Sequence, residues 1–197
     1  KDKELREQLS TVLKNQGLPL DAAEKLAKWD PYDQNASSPF FDSEWMFGIK
    51  EGFEIVIGNP PYQISDGGAQ ASAKPIYQHF VLLGKEIASD YSCFITPTRW
   101  FAGGKGLDEF RDLMLGDKTI KELHDFLTPE DVFPNTNNRG GVCYFINDMD
   151  KTDFEVKVIT HQNNTVIANS TRKLLLDGVD IFIRDSIAIE IINKIFT

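Results

Sequence analysis

The chain has 197 residues, 41% of them hydrophobic and 26% charged, with a net charge of -9. That balance belongs to a folded domain with a real core and excludes a disordered or fibrous polypeptide. No apolar run reaches bilayer-crossing length, the opening KDKELREQ lacks the marks of a signal peptide, and a cytoplasmic protein is expected; the acidic balance, taken alone, argues against a nucleic-acid partner.

In chain order, Leu5, Leu9, Val12 and Leu13 predict a helix over residues 3–16, and Asp21 can cap a second over AAEKLAKW. The stretch WDPYDQNASSPFFDSEWMFGIKEG, rich in turn formers and aromatics, reads as irregular chain held by aromatic anchors. FEIVIG is a strand. A polar, glycine-containing loop runs from Gln63 to about Ser72, and KPIYQHFVLLGKEIAS is a helix with Ile76, Phe80, Leu83 and Ile87 on one face. YSCFIT is its partner strand, Pro97 to Gly106 a loop, LDEFRDLML a short helix, and TIKELHDF and GVCYFIND two further strands. This alternation predicts an α/β fold with a mainly parallel sheet covered by helices. FEVKVIT and TVIAN predict an antiparallel hairpin, and SIAIEIINKIFT a closing helix with no stop signal, so that the chain reads as a piece of something longer.

Cys93 and Cys143 sit in apolar strand-like runs without partners at metal spacing and read as small core residues. His79, His124 and His161 are isolated from one another and from any motif, and receive no role. No nuclease-like cluster of carboxylates and lysine stands out.

The chemistry concentrates in Asn59-Pro60-Pro61-Tyr62, directly after the apolar strand. In open α/β sheets ligands bind at the carboxyl ends of strands. The prolines fix their own backbone angles and restrict the residue before each, so Asn59 and the Pro60 carbonyl are held without a partner's help. Two neighbouring acceptors suit a planar amine with two hydrogens to donate, such as the exocyclic amine of adenine, and pulling on both hydrogens frees the nitrogen lone pair. Tyr62 offers a flat face for stacking. Read as ordinary structure, Pro-Pro ends a strand and Tyr62 is a half-buried loop anchor. Chance supplies this tetrapeptide in on the order of one chain per thousand of this size, which favours the functional reading.

FFDSEWMFG, GFEIVIGNPPYQ, FITPTRWFAGGKGLDEFRDLML and VFPNTNNRGGVCYFI together resemble the adenine-specific DNA methyltransferase domains of bacterial restriction–modification enzymes, above all the large polypeptides that fuse restriction to modification. The resemblance covers about residues 29–148. It implies the C-terminal half of a Rossmann-like, S-adenosylmethionine-dependent methyltransferase sheet, with a helical lead-in over 1–45, the catalytic target-base half over 46–150, and an extension over 151–197 leading to a target-recognition domain. It implies that Asn59 and the Pro60 carbonyl bind the target amine, that Tyr62 and Phe133 sandwich the flipped base, and that Asn59 and Pro61 touch the edge of the donor pocket, with no metal required. Without the resemblance Phe133 reads as a core phenylalanine. The family's glycine-rich donor-binding turn and its acidic ribose ligand have no match between Lys1 and Gly52; Gly103-Gly104-Lys105-Gly106 comes after the motif, lacks the P-loop pattern and reads first as a flexible loop near DNA, with a phosphate cradle as the lesser alternative. The implied partners are therefore double-stranded DNA, the rest of the same polypeptide with its donor-binding half and any fused nuclease, and a second copy through the edge of FEIVIG, in a bacterial cytoplasm. Arg99, Lys105 and Arg139 are loop cations able to touch phosphates or simply to be solvated. The alternatives are a methyltransferase acting on protein glutamine or RNA, and a non-catalytic DNA-binding relic.

Overall fold

The computed structural model describes residues 2–28, 48, 50, 52–64, 73–134 and 140–196. The chain divides into two compact units, residues 1–52 and 53–197. In the first, helix α1 (Asp2–Asn15) packs on helix α2 (Leu20–Lys28). Gly17, at φ +95°, makes the turn between them, and Arg6 Nη1 donates to the Ala27 carbonyl at 2.9 Å. Asp21 lies inside the first turn of α2 rather than capping it, where its charge still favours the helix dipole. The aromatic-rich segment falls almost wholly outside the described residues.

The second unit runs β1 (Phe53–Gly58), β2 (Gln63–Ile64), β3 (Lys74–Pro75), α3 (Tyr77–Ile87), β4 (Ala88–Pro97), a 3-10 turn (Thr98–Phe101), α4 (Asp108–Leu115), β5 (Ile120–Phe126), a second 3-10 turn (Pro129–Asp131), β6 (Val142–Asp148), β7 (Val156–Gln162), β8 (Thr165–Arg172) and α5 (Ser186–Phe196). Six strands form one sheet in the order β1-β4-β6-β5-β7-β8, while β2 and β3 form a separate ribbon. The α/β class holds. Strands β1, β4, β5 and β7 run one way and β6 and β8 are reversed. Helix α3 carries the chain across from β1 to its parallel neighbour β4, as a parallel pair requires. Between β7 and β8 the turn is Asn163-Asn164, with φ of +51° and +58°, the two-residue geometry whose twist matches a hairpin.

One apolar cluster joins α3 and α4 to the sheet through Val81, Phe94, Trp100, Phe110, Met114, Leu123 and Phe145. Helix α3 faces inward with Tyr77, Gln78, Val81 and Gly84, not with the predicted stripe. Phe80 and Leu83 stay 43% and 54% exposed. The helix is apolar on two sides, and periodicity alone does not choose between them. Gly84 decides the matter. A Cβ there would lie 2.1 Å from the Phe94 ring, and one on Gly58 would lie 2.4 Å from it, so both glycines make room for that ring.

Strand β1 ends the sheet. Its residues Ile55 and Ile57 are 60% and 78% exposed. At the end of the sheet where β5 begins, Asn147 Nδ2 donates to Thr119 Oγ1 at 2.7 Å and to Asp117 Oδ2 at 3.1 Å, and Lys85 pairs with Asp117.

Gly84→Ala is expected to destabilise the chain by about 1–3 kcal/mol, the usual cost of overpacking a filled core. Phe94→Leu in the same chain should recover part of that loss. Denaturant titration of the single and double variants reads both effects.

Candidate functional site

Because β1, β4 and β5 share one direction, their carboxyl ends meet along one end of the sheet. Asn59 leaves β1 there, exposed, with Pro60 buried, Pro61 exposed and Tyr62 half-buried. The Asn59 side chain makes no hydrogen bond among the described residues. Tyr62 is held on both sides: its carbonyl accepts from Ile76 N–H at 3.4 Å, and Gln63 and Ile64 pair with Pro75 and Lys74. Beneath it, the Tyr62 and Tyr77 rings meet edge-on, with centroids 6.4 Å apart and planes at 77°. Burial, the larger cause, and the nearby Cys143 sulfur push the Tyr62 phenol up to about 12. Among the described residues its buried hydroxyl has no hydrogen-bond partner, while the buried Tyr77 hydroxyl lies by the Trp100 backbone.

Beside the motif lies an apolar cavity of about 340 Å³, lined by Asn59, Pro60 and Pro61 with Val56, Phe80 and Leu83. The exposed stripe of α3 is thus one of its walls.

Phe133 is half-buried at the end of the second 3-10 turn, its N–H donating to the Pro129 carbonyl at 2.9 Å. It shares the sheet end with Tyr62, but the order β1-β4-β6-β5 puts three strand spacings, about 14 Å, between their strands. Gly140 and Gly141 occupy the position between them, at the start of β6. Their φ values are +99° and +102°, and a Cβ on Gly141 would strike the Phe126 carbonyl at 2.3 Å. Thr98 Oγ1, at the end of β4, donates to the Gly140 carbonyl at 2.7 Å. Arg99 and Lys105 are exposed, and Arg139 lies outside the described residues. In the glycine cluster the Gly104 N–H already donates to Asp108 Oδ1 at 3.0 Å, which places a carboxylate where a phosphate cradle needs free amides.

Two features escaped the sequence reading. Arg184 grips Asp125 with two hydrogen bonds of 2.7 and 2.6 Å and donates a third to the Gly140 carbonyl at 2.8 Å. Burial raises the Asp125 carboxyl, against the pull of Arg184. IKELHDF carries Lys121, Glu122 and His124 as well as Asp125, so no local pattern marks Asp125 as the buried carboxylate that needs a partner. Second, His124 and His161 are not isolated. His124 Nδ1 and His161 Nε2 lie 3.0 Å apart, so one ring donates and the other accepts, and their strands are parallel neighbours. Burial lowers both imidazoles, which keeps them neutral and able to share that bond. Cys143 is free and buried, with its thiol pushed up to about 12 by burial, and Cys93 is free and half-buried. Among the described residues no group of three or more His, Cys, Asp or Glu is arranged to hold a metal, and no helix is long and apolar enough to cross a membrane.

The model of the Eco57I restriction-modification methylase family matches residues 2–133, a span that contains Asn59–Tyr62 and ends at Phe133. The chain belongs to this family. A protein named as an uncharacterized adenine-specific methylase of Mycoplasma pneumoniae is 35% identical over 136 residues, 66% of this chain and 32% of that protein. The chain thus spans about a third of the length of that curated relative. Among solved structures, the type I restriction-modification methyltransferase subunit from Streptococcus thermophilus aligns over 79% of this chain and 34% of its own, with a TM-score of 0.45 and 19% identity. The EcoKI M protein aligns over 59% and 26%, with 0.42 and 18%. Within the Eco57I-family chain, then, the Asn-Pro-Pro-Tyr run stands at the carboxyl end of an edge strand, beside an apolar cavity and above an aromatic core.

Arg184→Met is expected to destabilise the protein by about 3 kcal/mol near neutral pH, because it leaves Asp125, 0% exposed, without its partner; thermal or denaturant unfolding measures it. For Tyr62 the folded state holds its proton from pH 10 to about 12 while the unfolded state releases it, so this group's contribution to stability falls as pH rises through that window. Tyrosinate absorbance should therefore show a component near 12 that Tyr62→Phe removes.

Proposed function

We propose that the chain is the target-base half of an adenine-specific DNA methyltransferase working in a bacterial restriction–modification system. The observation that carries this reading is Asn59-Pro60-Pro61-Tyr62 leaving the carboxyl end of β1, with the Asn59 amide exposed and unengaged beside the cavity. Asn59 Oδ1 and the Pro60 carbonyl accept the two hydrogens of the adenine amine, which localises the nitrogen lone pair for attack. Tyr62 and Phe133 stack on opposite faces of the extruded base. Extrusion costs a few kcal/mol and each stacking contact returns roughly 1–3 kcal/mol, so two faces can offset the flip.

The apolar walls of the cavity and the Pro61 ring suit the edge of a site for S-adenosylmethionine, with Asn59 and Pro61 as the residues that would touch it. When bound, that donor supplies an electrophilic methyl group on sulfonium sulfur. The sheet edge at β1, with Ile55 and Ile57 exposed, supports a continuation of the sheet by the donor-binding part of a longer polypeptide; pairing with a second copy through the same edge would satisfy it as well. DNA affinity and sequence choice then rest on a target-recognition region elsewhere in the same polypeptide, which reconciles the net charge of -9 with a DNA substrate. A bacterial cytoplasm is the setting such a system requires.

The test is transfer of labelled methyl from S-adenosylmethionine to adenine in duplex DNA by the intact polypeptide. Asn59→Ala is expected to lower the rate at least about a hundredfold, the scale set by removing a preorganised polar contact. Equal transfer by both proteins would sink the assignment, and labelling of RNA or of protein glutamine in place of DNA would move it to another substrate.

A further inference from the structure

Tyr77 lies at the base of the candidate site without reaching its surface. It is 1% exposed at the start of α3, so it cannot touch a base stacked on Tyr62. Yet the fold brings the two tyrosines together twice. Through the backbone, the ribbon of Gln63–Ile64 with Lys74–Pro75 closes the chain between them, and Ile76, next to Tyr77, donates its N–H to the Tyr62 carbonyl. Through the side chains, their rings meet edge-on. Tyr77 in turn meets Phe110 at 6.0 Å and 81°. Phe110 meets Trp100 at 5.9 Å, and Trp100 meets Phe145 of β6 at 6.2 Å. A row of edge contacts therefore runs from the motif into the core of the sheet.

The prolines fix the backbone before Tyr62 and the ribbon fixes it after. What remains free is rotation of the Tyr62 side chain, and Tyr77 is the buried ring placed to restrict it. We propose that Tyr77 is the positioning residue for Tyr62: held by α3 and Phe110, its ring sets the plane of the aromatic surface that receives the target base. This rests on the reading of Tyr62 as that surface. The Tyr62 hydroxyl, buried and without a partner among the described residues, agrees with a ring turned polar end down so that its face is left for stacking. An edge-on aromatic pair of this kind favours one ring orientation by roughly two- to tenfold.

The test has one arm on the chain itself and one on transfer. In the wild-type chain labelled with fluorotyrosine, with Tyr62 assigned through Tyr62→Phe, nuclear Overhauser contacts are expected between the Tyr62 and Tyr77 rings; their absence overturns the proposal whatever the variants do. Tyr77→Leu should move the Tyr62 resonance toward that of a mobile, solvated tyrosine in a chain whose circular dichroism stays folded, and Tyr77→Phe should restore the native resonance. A Tyr62 resonance unchanged in folded Tyr77→Leu also overturns it. In the intact polypeptide, Tyr77→Leu should lower kcat about three- to tenfold with the donor KM unchanged, and Tyr77→Phe should keep kcat. If Tyr62→Ala leaves transfer intact, the stacking role fails, and the resonance arm still decides whether Tyr77 positions Tyr62.

Discussion

The Phe94 ring, seated between Gly58 at the end of β1 and Gly84 in the middle of α3, is the contact on which the arrangement of the site depends. A side chain at either glycine would collide with it, so helix and strand approach only because both positions lack a Cβ. That approach turns Tyr77 and Val81 of α3 into the core and Phe80 and Leu83 out of it. It also sets where β1 delivers Asn59 and how near Tyr77 comes to Tyr62. A small clearance inside the core thus becomes the geometry of an exposed amide and a half-buried ring.

Around that contact the second unit divides its labour along the strands. Where β5 begins, polar groups satisfy one another: Lys85, Asp117, Thr119 and Asn147 form a network with no exposed motif attached to it. At the other end, backbone groups and rings are held in place while side chains are spared. Arg184 ties Asp125 to the Gly140 carbonyl, Thr98 reaches the same carbonyl, and Gly141, with no Cβ, lets the Phe126 carbonyl and Arg184 close on its backbone. Buried polar groups that are fully paired give rigidity, and rigidity near a site is worth having when the chemistry needs acceptors held in advance.

The residues matched by the family, 2–133, include the whole path from the strand FEIVIG to Phe133. The structure adds that Tyr62 and Phe133 follow strands three positions apart, β1 and β5. Thr98 and Gly140 lie at the ends of the strands between them.

Much of this was legible in the residues. FEIVIG had to be a strand, because its apolar run stops at Gly58, and Asn59-Pro60-Pro61 had to be rigid, because proline angles do not depend on tertiary context. The α/β class followed from the alternation of apolar runs with helical stripes, and the closing hairpin from its alternating strands. What the sequence could not settle were choices between equivalent surfaces and meetings between distant residues. Helix α3 has two apolar faces, and only the fit of Phe94 against Gly84 selects the buried one. The reversal of β6 places Gly140 beside Thr98. The pairing of β5 with β7 joins His124 to His161, and the return of the chain past β8 brings Arg184 to Asp125; each depends on strand order, which no local pattern encodes. The same holds for Tyr77, whose link to Tyr62 exists only because a two-stranded ribbon closes the loop between them. Local stereochemistry therefore determined the motif and its stiffness, while the packing of strands against one another decided its surroundings, since contacts far apart in sequence form only when the whole sheet does.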